Sequence, residues 1–85
     1  MDKYTVVINK SVQKLLQKLP NNIAEQLENS MLDLENNPRP NGCKKLKGRS
    51  AYRIREGNYR IIYEIEDKII TVIVTNIGHR KDIYK

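Results

Sequence analysis

Gly57-Asn58 separates two runs of alternating residues, Ala51 to Glu56 and Tyr59 to Glu66. A two-residue connection of this kind, with glycine first, is the signature of a type II′ hairpin. The turn sets the register: Glu56 faces Tyr59, Arg55 faces Arg60, Ile54 faces Ile61 and Arg53 faces Ile62. Side chains alternate between the faces of a sheet. Arg53, Arg55 and Arg60 therefore share one face, and Ile54, Ile61 and Tyr63 share the other. A second turn at Asp67-Lys68 is expected to pair Ile65 with Ile70, Tyr63 with Val72 and Ile61 with Val74. A third strand, Ile69 to Ile77, would then extend the apolar face, and the opposite face would carry Ile62, Glu64, Ile73 and Thr75 beside the arginines.

Upstream, Tyr4 to Asn9 is a β-branched run that reads as a strand. Val12, Leu15, Leu16 and Leu19 then recur at helical spacing, predicting an amphipathic helix from Lys10 to Leu19. Pro20-Asn21-Asn22 ends it. Asn22 with Glu25 has the form of a capping box for a second helix, whose apolar stripe is Ile23, Leu27, Met31 and Leu34. A connection this short makes the helices an antiparallel hairpin. Asn36 to Gly48, with its prolines, glycines and lysines, reads as an exposed loop; its lysines could touch a phosphate backbone, against the plainer reading of a solvated charge run. The 85 residues thus form one domain, 1–85, of α+β class: a two-helix antiparallel hairpin packed on a largely antiparallel four-stranded sheet in the order β-α-α-β-β-β.

The net charge of +6 favours polyanions through counterion release, nucleic acid foremost. Two arginines opposed in a sheet repel unless an anion lies between them. Glu64 supplies a carboxylate in the structural reading. A phosphate does so in the functional one, because the guanidinium fork matches phosphate oxygens and keeps its charge. Cys43, the single cysteine, makes no internal disulfide, which fits a reducing cytosol. No cofactor is indicated, and one His and one distant Cys do not suggest a metal site. No apolar run is long enough to span a bilayer, and Met1 to Tyr4 lacks the apolar stretch of a signal peptide. A cytoplasmic location is expected.

The C-terminal segment Gly78-His79-Arg80-Lys81-Asp82-Ile83-Tyr84-Lys85 follows the last strand. Together with Tyr52-Arg53-Ile54-Arg55 and Gly57 to Tyr63, it closely resembles the RelE branch of the RelE/ParE toxin superfamily. Leu16 to Pro20, Asn37 to Pro40 and Lys45 to Gly48 extend the likeness over essentially the whole chain. The resemblance implies a toxin that cleaves mRNA in the ribosomal A site, using the message's own 2′-hydroxyl and leaving a cyclic phosphate. It implies a RelB-like antitoxin whose helices wrap the toxin in a hetero-oligomer. By motif position, Arg53, Arg55, Arg60, Arg80 and Tyr84 match the family's functional residues, and Lys81 adds a phosphate contact.

In this reading Arg60 and Arg80 stabilise the phosphorane, and Tyr84 stacks on a base. Lysine often stands in the family where this chain has Arg53 and Arg55. Arginine, with a pKa above ~12, is a poor base. His79 and Glu64 are the candidate bases. Two alternatives stay open. A ParE-like inhibitor of DNA gyrase shares the fold but lacks the arginine and tyrosine set, and a weakly catalytic RNA- or ribosome-binding relative would account for the missing lysines.

Overall fold

The computed structural model describes residues 3–47 and 50–79. Its elements are β1 (Thr5–Ile8), α1 (Lys10–Gln17), α2 (Asn21–Asp33), β2 (Lys44–Lys45), β3 (Ala51–Glu56), β4 (Tyr59–Glu66) and β5 (Thr71–His79). The sheet has five strands in the order β1-β5-β4-β3-β2. Only the β1–β5 pair is parallel; the other pairings are antiparallel. The α+β class holds, with one strand more than the sequence pattern predicts. The addition is β2, inside the segment expected to be loop.

The helix stripes behave as their spacing dictates. Val12 and Leu16 from α1, with Leu27 and Met31 from α2 and Leu34 just beyond it, join Ile54, Ile61, Tyr63, Val72, Val74 and Ile77 in one core. Full burial of each such aliphatic side chain contributes about 1.5–3 kcal/mol. The predicted capping box at Asn22 does not form. Pro20 is the N-cap, with φ −54° and ψ 144° and no side-chain cap bond. Its carbonyl accepts from the Ile23 and Ala24 amides at 3.0 and 2.9 Å. The ring fixes φ close to this value, so the helix starts one residue before the asparagine expected to cap it.

The β3–β4 register is the one set by Gly57-Asn58. Gly57 has φ +59° and Asn58 is not in the left-handed region, as a type II′ turn requires. The β4–β5 register departs from expectation twice. A 3-10 turn over Asp67–Ile69 and a left-handed Ile70 (φ 48°) make the connection four residues long, so Ile65 faces Val72 and Tyr63 faces Val74. A bulge then leaves Thr75 unpaired, and Ile61 faces Ile77. One extra residue reverses which side chains face inward. Ile77 enters the core while Asn76 is exposed.

Candidate functional site

Residues paired across neighbouring strands share a face, so the registers assign the sheet's second side. Arg55, Arg60 and Gly78 form one row, Lys44, Arg53, Ile62 and Asn76 the next, and Ala51, Glu64 and Ile73 a third. Rows are two residues apart, about 7 Å along a strand. Three sequence-predicted residues, Arg53, Arg55 and Arg60, are therefore gathered as expected. Glu64 is on the same side but two rows, about 14 Å, from Arg60. Thr75, expected beside the arginines, is instead the bulged residue.

The opposed arginines differ in depth. Arg55 is exposed, Arg53 half-buried, and Arg60 is 3% exposed. Arg60 is the one buried charged side chain among the described residues, and its Nε and Nη1 are shielded from solvent. A buried charge requires engagement by its surroundings, and both Arg53 and Arg60 have such interactions. Arg55 is the member that meets solvent; it also borders a groove of about 500 Å³ that Ser30, Asp33, Leu34 and Ile54 line from the helix side of the sheet. Gly78 faces Arg60 from β5 with no side chain.

His79 falls on the other side. It pairs with Tyr59, whose alternation with Ile61 and Tyr63 directs it toward the helices. The His79 and Tyr59 rings meet edge to face at 5.6 Å, and both border a cleft of about 340 Å³ with Leu15, Lys18 and Leu19 of the α1 region. The structure thus separates His79 from the arginines by the thickness of the sheet. Arg80, Lys81 and Tyr84 lie outside the described residues.

Two placements escape sequence reasoning. Lys44 joins the basic face because β2 pairs it with Arg53; a two-residue strand carries no periodicity to detect. Around Arg39, a clamp closes the helix-facing side of the sheet. Arg39 donates to both carboxylate oxygens of Asp67, at 3.0 and 3.4 Å, and lies 5.3 Å over the Tyr52 ring. Tyr4 donates to Asp67 at 2.8 Å. The Arg39 guanidinium, helped by the Tyr4 hydroxyl, holds the Asp67 carboxyl below its ordinary value. Tyr63, stacked on Tyr52 at 6.0 Å, donates to the Pro38 carbonyl at 2.7 Å. Burial pushes its phenol well up, and the Cys43 thiol beside it adds to the effect.

A helix hairpin on one side of the sheet, with Arg53, Arg55, Arg60 and Lys44 on the other, defines a small α+β domain with one basic face. Residues 6–84 match the family described as the ParE toxin of type II toxin–antitoxin systems. The chain is 36% identical to the toxin RelG of Mycobacterium tuberculosis over 96% of its own length and 97% of that protein's. It superposes on the archaeal RelE–RelB complex of Pyrococcus horikoshii with a TM-score of 0.84 and 31% identity, covering 94% of this chain and 98% of that one. For the RelBE2 toxin–antitoxin complex of M. tuberculosis the TM-score is 0.81 and the identity 30%, over 92% and 99%. The chain belongs to the RelE/ParE superfamily as a RelE-type toxin of a type II toxin–antitoxin system.

Proposed function

We propose that this toxin is a ribosome-dependent mRNA endoribonuclease acting in the cytoplasm on the codon in the A site, and that a RelB-like antitoxin holds it inactive as a hetero-oligomer. The observation that carries the reading is the Arg55–Arg60 pair, joined by Arg53 one row along the same face. In the reaction the 2′-oxygen bonds to the adjacent phosphorus and the bond from phosphorus to the 5′-oxygen breaks. The 2′-hydroxyl gives up its proton and the departing 5′-oxygen gains one. The products are a cyclic 2′,3′-phosphate and a free 5′-hydroxyl.

Negative charge builds on the phosphorane oxygens, where preorganised guanidinium groups act most strongly once water is excluded. Arg55 is suited to direct contact and Arg60, shielded from water, to a sustained positive potential behind it. Arg80 is assigned to the same stabilising role and Lys81 to phosphate contact. Tyr84 is assigned to base stacking. Neither His79, across the sheet, nor Glu64, two rows along it, stands beside the Arg55–Arg60 pair, so the proton acceptor is assigned to neither of them. RelBE complexes among the structural relatives support the antitoxin partner.

The test is primer-extension mapping of mRNA in a purified translation system. Wild type is expected to cut within A-site codons, and Arg55→Ala, an exposed substitution, to lower the rate by about 10²-fold with its melting temperature unchanged. Intact message with the wild-type protein overturns the nuclease reading. DNA damage signalling with translation unaffected would favour gyrase instead, the alternative that the matched ParE family description keeps in view.

A further inference from the structure

The two-residue strand β2 places a charge that the arginine motif does not contain. Lys44 and Arg53 are register partners, and Arg53 faces Ile62 on its other side. Lys44 is exposed and directed to the arginine face. Lys45, its neighbour, pairs with Tyr52 and so belongs to the helix-facing side. Two adjacent lysines of equal charge are thereby assigned opposite sides of the sheet.

Among the described residues, the strand pairings put basic side chains on two rows of this face. Arg55 and Arg60 form the first, next to the hairpin turn. Lys44 and Arg53 form the second, about 7 Å further along β3. The third row holds Ala51 and Glu64, a small buried side chain and a carboxylate, where another phosphate would be repelled. Across the strands the spacing is only about 4.8 Å, too close for consecutive phosphates of an extended strand. Along the strands it is comparable with the reach of one nucleotide.

We infer that Lys44 and Arg53 form a second phosphate site, adjacent to the one at Arg55 and Arg60, so that single-stranded RNA runs along β3 with two consecutive phosphates engaged. The ligand class rests on the RNA-directed reading of this face. The number of contacts and the direction of the strand rest on the register. Lys44 acts here as a phosphate contact, a role that arginine can also fill.

Binding of the free toxin to an uncleavable probe, a short 2′-O-methyl oligouridylate, measured across salt concentrations, tests this directly. Each phosphate contact to a single strand contributes about 0.7 to the slope of log affinity against log salt. Lys44→Ala is expected to lower the slope by about 0.7, which makes the loss of affinity between about 50 and 200 mM salt roughly threefold smaller. Lys44→Arg should keep the wild-type slope, and Lys45→Ala should leave it unchanged. Melting curves confirm that each variant is folded. An unchanged slope in Lys44→Ala, or an equal fall in Lys45→Ala, overturns the second site.

The same proteins, assayed for cleavage on ribosomes, separate this inference from the nuclease reading. A wild type that binds with the expected slopes but leaves message intact defeats cleavage and keeps the Lys44 contact. A wild type that cleaves, with Lys44→Ala unchanged in slope, defeats the Lys44 contact alone. No binding of the probe by wild type at low salt overturns the second site whatever the cleavage result.

Discussion

Tyr63 is a fully buried phenol whose hydroxyl donates to the Pro38 carbonyl at 2.7 Å. Pro38 is itself buried, so Tyr63→Phe leaves that carbonyl without its donor. The expected cost is about 1–3 kcal/mol, read as a fall in melting temperature of roughly 4–24 °C for a domain of this size. Asp67 behaves differently, because its partners hold it at the surface. Its folded pKa lies below the ordinary 3.8, so its stabilisation is complete above that value and is lost as pH falls through the folded pKa. Asp67→Asn should therefore melt below wild type near pH ~7, and the gap should close toward pH ~2. An equal gap at both pH values would mean that Arg39 is held by something other than the carboxylate charge.

Among the elements, the β3–β4 hairpin carries the most of the site with the fewest residues. Gly57 at φ +59° has open space where a Cβ would stand, so Gly57→Ala introduces backbone strain without a clash. About 1–2 kcal/mol is expected, measurable by denaturant unfolding. A stability equal to wild type would indicate that the turn relaxes. The hairpin was legible in the sequence because one glycine and two alternating runs fix it locally. The β4–β5 register was not, because the Ile70 left-handed residue is β-branched, a type that gives no warning of that conformation. The bulge at Thr75 likewise has no composition of its own. Lys44 was hidden for a related reason, since β2 exists only through its pairing with β3. His79 was legible as an imidazole next to the arginines in sequence, but its side of the sheet depends on that bulge.

For the molecule as a whole, a net charge of +6 carried on a small domain opposes folding through self-repulsion, and the arginine side concentrates the effect. An anion that binds the folded face and not the unfolded chain must then raise stability by mass action. At ten times its dissociation constant the gain is about 1.4 kcal/mol, worth roughly 5–10 °C in melting temperature for a domain of this length. Inorganic pyrophosphate, which presents two linked phosphates, is expected to raise the wild-type melting temperature above that in sodium chloride of matched ionic strength. Arg55→Ala should lose most of the increment. His79→Ala should keep it, because His79 lies across the sheet among Leu15, Leu19 and Tyr59. Equal melting temperatures in the two salts would show that the positive charge acts as a diffuse field, with no preformed anion site; a loss of the increment in His79→Ala would place the imidazole in the site and contradict the registers that separate the two faces.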